Sequence, residues 1–183
     1  EANAPCVKII DDEDGIFDVS FFVAREDRFV LASKGVCKNN QTIISGSHQW
    51  YDKWLINVHK NGELIAQDLF DPRGRVVFIK IDAYALGDNI AWIPYVEEFR
   101  NKHNCIMICS TFFNDLFKDL YPNILFVEPN TNIDNVYAQY YIGAQNDDNI
   151  KYSNTISNEN SLQHTACNNL GLEPKELRPQ LES

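Results

Sequence analysis

No run of about 18 apolar residues occurs in this chain of 183 residues, so it holds no candidate for a membrane-spanning helix. Positive charge is scarce as well. The 16 Lys and Arg stand against 26 Asp and Glu, a net charge of −10, with an acidic cluster at Asp11, Asp12, Glu13 and Asp14. Such a surface repels phosphate-rich polymers, which argues against nucleic-acid binding. A nucleotide-sugar can still bind wherever a local site supplies positive charge or helix N-termini. Cysteines at metal-ligand spacing are missing too. Cys6, Cys37, Cys105, Cys109 and Cys167 form no C-x-x-C pair and are odd in number, so they read as small buried apolar residues in a reducing compartment, with no metal predicted. The four histidines (His48, His59, His103, His164) are too scattered for a metal site. EANAPC shows no basic segment followed by an apolar one, so no signal peptide is read there.

What the chain does have is 44% hydrophobic residues, enough for one good-sized core or two small ones. Two kinds of grammar divide it. Up to Phe70 the apolar runs are short, often alternating, and punctuated by Asp-Gly, Lys-Gly, Ser-Gly and Asn-Gly turns. Strands are expected at residues 6–10, 16–22, 29–32, 42–44, 54–59 and 64–70, with Asn61-Gly62 the clearest hairpin turn. This predicts a β-rich module, a small barrel or sandwich, over residues 1–72. His48, Trp50, Tyr51 and Trp54 cluster within it and read first as core, with a carbohydrate-facing surface as the alternative. Asp71-Pro72-Arg73-Gly74 is a turn-rich break. Arg25, Arg28, Arg73 and Arg75 are the available phosphate partners, but none falls in a phosphate-cradling motif.

From Arg75 strands and helices alternate: strand 75–81, helix from about Asn89 to 103, strand 105–110, helix 112–120, strand 124–128, extended 136–143, a polar loop 144–160, and a helix 162–170 ended by Gly171. That alternation predicts a parallel, Rossmann-like α/β domain over residues 73–183. Its opening is the most informative stretch of the chain. Val76–Ile81 is a β-branched apolar run without helical period, followed by a loop with Gly87 and Asp88 and then a helix that contains Pro94. In such folds the chemistry sits at the carboxyl ends of the strands, so Asp88 is expected on the functional rim, either capping the helix or acting as a catalytic base.

Residues 83–100 (AYALGDNIAWIPYVEEFR) resemble the bacterial autotransporter heptosyltransferases, relatives of the glycosyltransferase family 9 enzymes with the two-domain GT-B fold. The resemblance continues through residues 105–117 (CIMICSTFFNDLF), Tyr121-Pro122, Phe126-Val127 and 136–143 (VYAQYYIG), and returns in 162–179 (LQHTACNNLGLEPKELRP). It is strong over the second half of the chain and weak over the first. It implies a protein O-glycosyltransferase that moves heptose from an ADP-heptose donor to serine hydroxyls of an autotransporter, in the cytoplasm. Homo-oligomers are a separate expectation, because the lack of a partner domain leaves apolar surface exposed. It assigns Asp88 as the base that takes the acceptor's proton. Gly87, Asn89, Trp92, Thr111 and Asn114 are then candidate acceptor contacts, although helix core (Trp92) and an N-cap (Thr111) are open alternatives. In that family the sugar nucleotide and a cysteine-rich, iron-binding element lie in the C-terminal half. Nothing here matches that element, so no cofactor is expected on this chain, which reads as the N-terminal half of such an enzyme. The alternative is a non-catalytic acceptor-binding or assembly module.

Overall fold

The computed structural model describes residues 5–45, 53–143 and 161–180, and its contacts divide the chain into two compact units, one ending at Asp71 and one beginning at Pro72. The cluster of His48, Trp50 and Tyr51 lies outside the described residues.

The first unit contains β1 (Cys6–Lys8), β2 (Ile16–Arg25), β3 (Arg28–Lys38), β4 (Thr42–Ile44), β5 (Trp54–Lys60) and β6 (Glu63–Leu69). Four of these strands form an antiparallel sheet in the order β3-β2-β5-β6, and β1 pairs with β4 in a two-stranded ladder. Alternation along β2 drives the packing. Phe17, Val19, Phe21 and Val23 point inward and are buried, while Asp18 lies on the opposite, exposed face. Ile9, Cys37, Trp54 and Val58 complete the cluster, with Val7 and Ile43 packed against it. Asn61 and Gly62 both take positive φ (54° and 83°), which is the two-residue hairpin their sequence suggests.

Two expectations need correcting. The described strands do not close into a barrel; β3 and β6 remain open edges. Also, β3 runs straight through Lys34-Gly35, which looked like a turn. A Cβ on Gly35 would come within 2.5 Å of Ile43 Cδ1, so the glycine serves close approach between layers and does not end the strand.

The second unit contains β7 (Val76–Ile81), α1 (Leu86–His103), β8 (Ile106–Ser110), α2 (Asn114–Phe117), β9 (Ile124–Val127), β10 (Ala138–Ile142) and α3 (Leu162–Leu170). Its sheet is wholly parallel, in the order β10-β7-β8-β9. One face, with Val77, Ile79, Ile81, Met107, Cys109 and Ile142, packs in one cluster with Trp92, Ile93, Val96 and Phe99 of α1 and Ala166 and Leu170 of α3. Trp92 Nε1 donates to the Leu162 carbonyl (2.8 Å) and ties the two helices together. The last helix is capped at both ends: Ser161 Oγ accepts from the His164 amide, and Gly171 takes the left-handed conformation (φ 60°).

Here too the structure departs from expectation. The first helix begins at Leu86, a turn before Asn89, and passes Pro94 without breaking. Pro94 is itself buried, so tertiary packing outweighs the hydrogen bond it removes. The expected helix 112–120 shrinks to the single turn Asn114–Phe117.

Candidate functional site

β7 lies between β8 and β10, so the chain leaves it in one direction and later returns to its other side. Such a switch in strand order opens a crevice beyond the carboxyl ends of the strands. The loop there, residues 82–85, carries Asp82, Ala83, Tyr84 and Ala85 into the first turn of α1. It is held by one buried side chain. Asn89 is 0% exposed, and its Nδ2 donates to the carbonyls of Ala83 and Ala85, at 2.8 Å each. Asn89 Oδ1 is buried with no hydrogen-bond partner.

Asp88 stands in that first turn, half-buried. It is not the cap. Ala85 occupies the N-cap and supplies no side-chain bond, so a carboxylate at the third helical position acts on the orphan amides only through the helix dipole. The cap reading is thereby corrected, because the helix starts three residues before Asn89. Gly87 is exposed, and a Cβ there would meet nothing within 4 Å, so no backbone strain requires glycine at that position.

Across the rim, Thr111 and Asn114 lock the loop after β8. Thr111 Oγ1 accepts from the Phe113 amide (2.8 Å), Asn114 Oδ1 accepts from the Thr111 amide (3.0 Å), and Asn114 Nδ2 donates to the Val127 carbonyl (2.7 Å). Thr111 is therefore the head of a hydroxyl-closed turn and not the helix cap. The two residues line a cleft of about 480 Å3 together with Leu86, Phe112, Phe113, Asp115, Leu116, Glu128 and Pro129. Its charged lining residues are Asp115 and Glu128, both carboxylates. Lys118 bonds Asp115 at 2.7 Å, which holds that carboxyl below its ordinary range.

The structure thus brings Thr111 and Asn114 to one cleft and places Gly87 and Asp88 on the turn that begins with its lining residue Leu86. It buries three of the expected acceptor contacts. Thr111 is 1% exposed with its hydroxyl oxygen accepting from Phe113. Trp92 is 1% exposed with its indole N–H spent on Leu162, and Asn89 is fully buried with both amide protons spent on its own loop. Sequence reasoning missed Tyr84, which is 81% exposed and stacks on Phe112 (centroids 4.2 Å apart), and Glu128. Tyr84 stands within the quoted stretch 83–100, but its pairing with Phe112, like the place of Glu128, depends on which strands become neighbours. Among the described residues no three His, Cys, Asp or Glu side chains lie close enough to hold a metal ion. The described cysteines are free, and burial pushes the Cys105 thiol up to about 11.

No protein-family profile matches the chain. It is 27% identical over 144 residues to the inactive autotransporter heptosyltransferase BimC of Burkholderia thailandensis, a match covering 76% of this chain and 34% of BimC. It is 31% identical over 112 residues to the autotransporter heptosyltransferase Aah of Escherichia coli, covering 58% of this chain and 29% of Aah. Among solved structures, its fold is similar to the iron-containing dodecameric glycosyltransferase TibC of enterotoxigenic E. coli, with a TM-score of 0.77 and 21% identity, over 99% of this chain and 47% of TibC. TibC has also been solved in complex with ADP-D-beta-D-heptose, and this chain again covers 47% of it. The chain therefore spans about a third of the curated relatives it matches and about half of the solved one. Over that part of their length, the autotransporter heptosyltransferases are the homologues of this chain.

Proposed function

We propose that this chain is the acceptor-side part of a protein O-glycosyltransferase of the heptosyltransferase type. In this reading residues 73–183 are the Rossmann-like acceptor domain of a GT-B enzyme and residues 1–72 its β-rich companion. Heptose passes from ADP-heptose to serine hydroxyls of an autotransporter in the cytoplasm. The observation that carries it is the cleft on the carboxyl rim. It presents apolar side chains, the Asn114 amide and the carboxylates of Glu128 and of Asp115, the latter paired with Lys118, and it borders the helical turn that holds Asp88. Such a cleft suits a neutral acceptor and repels a pyrophosphate, so donor recognition falls to the part of the relatives that this chain does not span. Iron, which TibC contains, would likewise be held outside the described residues. Homo-oligomers follow by the same analogy with the TibC dodecamer.

In this mechanism the serine oxygen attacks the anomeric carbon, the bond from that carbon to the diphosphate oxygen breaks to release ADP, and Asp88 accepts the serine hydroxyl's proton. Gly87 leaves the approach open, and Thr111 and Asn114 shape the cleft wall. By itself the 183-residue chain transfers no sugar, because the donor site is elsewhere. The test is heptosyl transfer to an autotransporter passenger by a polypeptide that joins this chain to the donor-binding part. Asp88→Ala and Asp88→Asn should each lower turnover by roughly 100-fold or more, the usual scale for losing a general base. Their melting temperatures should move little, since only a helix-dipole interaction of about 0.3–1 kcal/mol is lost. Near-normal turnover in Asp88→Asn would reject the base.

A second reading has its own support, because BimC carries the description inactive. In it the chain is a non-catalytic acceptor-binding or assembly module. It predicts acceptor binding with no transfer even when the donor part is supplied.

A further inference from the structure

Tyr84 is the most exposed aromatic side chain on the carboxyl rim, and nothing in the core accounts for its position. One face of its ring stacks on Phe112 at 4.2 Å with 26° between the planes, and the residue is still 81% exposed. Its two neighbours are the residues whose carbonyls Asn89 grips, Ala83 and Ala85. A fully buried amide with an orphan oxygen is thus kept where it fixes the backbone on both sides of an exposed tyrosine. Pinning a solvent-facing ring in advance removes the ordering cost that a mobile ring would meet on binding.

The cleft next to this ring defines the occupant. Phe112 lines it with Leu86, Phe113, Leu116 and Pro129, and Leu86 and Leu116 are 44% and 41% exposed. Its charged lining groups are the carboxylates of Glu128 and of Asp115, the latter paired with Lys118 at 2.7 Å. Apolar side chains beside an aromatic on a fixed backbone, with the Glu128 carboxylate at the edge, fit peptide side chains of neutral or positive charge and disfavour phosphates and acidic segments.

We infer that Tyr84 and Phe112 form an aromatic platform on which a neutral or basic, hydroxyl-bearing polypeptide segment lies while it occupies the cleft. The assignment rests on the acceptor-side reading above and names the residues that recognise the acceptor there. The experiment titrates a fluorescent, uncharged, serine-rich synthetic peptide into the 183-residue chain, beside a glutamate-containing analogue, free ADP and a methyl glycoside. The uncharged peptide should bind and the acidic analogue should bind at least tenfold more weakly. Tyr84→Ala should weaken peptide binding about tenfold with an unchanged melting curve, whereas Tyr84→Phe and Tyr84→Trp should retain it. Equal binding by wild type and Tyr84→Ala would overturn the platform and leave the acceptor-side reading standing. Binding of the glycoside or ADP in place of the peptide, or no peptide binding by wild type, would overturn both.

Discussion

Asn89 offers the sharpest test of how this rim is built. Replacing it with alanine removes two hydrogen bonds, each worth about 1 kcal/mol net, and strips the Ala83 carbonyl of its side-chain partner at a further cost of about 1 kcal/mol. It also deletes the unpartnered Oδ1, which returns about 1 kcal/mol. The Ala85 carbonyl keeps the Asn89 main-chain amide (3.3 Å), so it contributes no second penalty. The net loss is about 2 kcal/mol, or roughly 8 °C in melting temperature for a unit of this size. Asn89→Asp is nearly isosteric but places a carboxyl oxygen where the amide protons were, against two carbonyl oxygens. Burial and those dipoles raise its folded pKa above the ordinary value of about 3.9. A raised carboxyl is at full stability below that value and loses up to about 1.4 kcal/mol per pH unit as pH rises toward the folded pKa. Near pH 4 the aspartate variant should therefore melt with or above the alanine variant, and at pH 7 well below it. Calorimetry at both pH values reads the crossing. Wild-type stability of Asn89→Asp at pH 7, or a pH-independent difference from wild type, would refute the clamp.

Two other outcomes follow from single contacts. Gly143 closes β10 with φ 153°, and a Cβ there would stand 2.9 Å from the Asp82 carbonyl oxygen, so Gly143→Ala should cost about 1–3 kcal/mol in denaturant unfolding. In the first unit, the Glu13 amide and then Lys60 hold the Asp11 carboxyl below its ordinary value. A depressed carboxyl stabilises above the unfolded pKa and loses that contribution as pH falls through the folded one. Asp11→Asn should therefore melt below wild type at pH 7, and the gap should close below about pH 4, as thermal melts across that range would record.

How much of this was legible in the chain depends on the range of the forces involved. The Asn61-Gly62 hairpin and the β-branched run Val76–Ile81 are local: φ preference and alternation decide them, and both stand in the structure. The start of α1 was misplaced because Ala85 is a poor cap and Gly87 a poor helix former, so local propensity pointed past the true first turn. Packing of Trp92, Tyr95 and Phe99 carries the helix back to Leu86, against that propensity. At the rim, Gly87 and Asp88 were visible as a loop-to-helix motif. Asn89 was visible only as a polar neighbour, since its burial depends on how the loop folds back over it. The pairing of Tyr84 with Phe112 joins loops from two different strands, and no sequence period encodes it.

Charge also explains why such a cleft would work as one half of a transferase. Several described cations are already engaged: Lys60 with Asp11 and Glu13, Arg100 with Glu97, Lys118 with Asp115, and Lys175 with Glu98. Lys80 instead lies over the rings of Phe78 and Tyr141. None of them lines the cleft, and the chain carries a net charge of −10. On the proposed reading, a nucleotide diphosphate approaching this cleft meets the Glu128 and Asp115 carboxylates, which disfavour it without any steric gate. Glu128→Lys, by exchanging one of the cleft's carboxylates for a cation, should therefore let free ADP compete with the acceptor in a peptide-displacement titration, and unchanged exclusion of ADP would refute the charge argument.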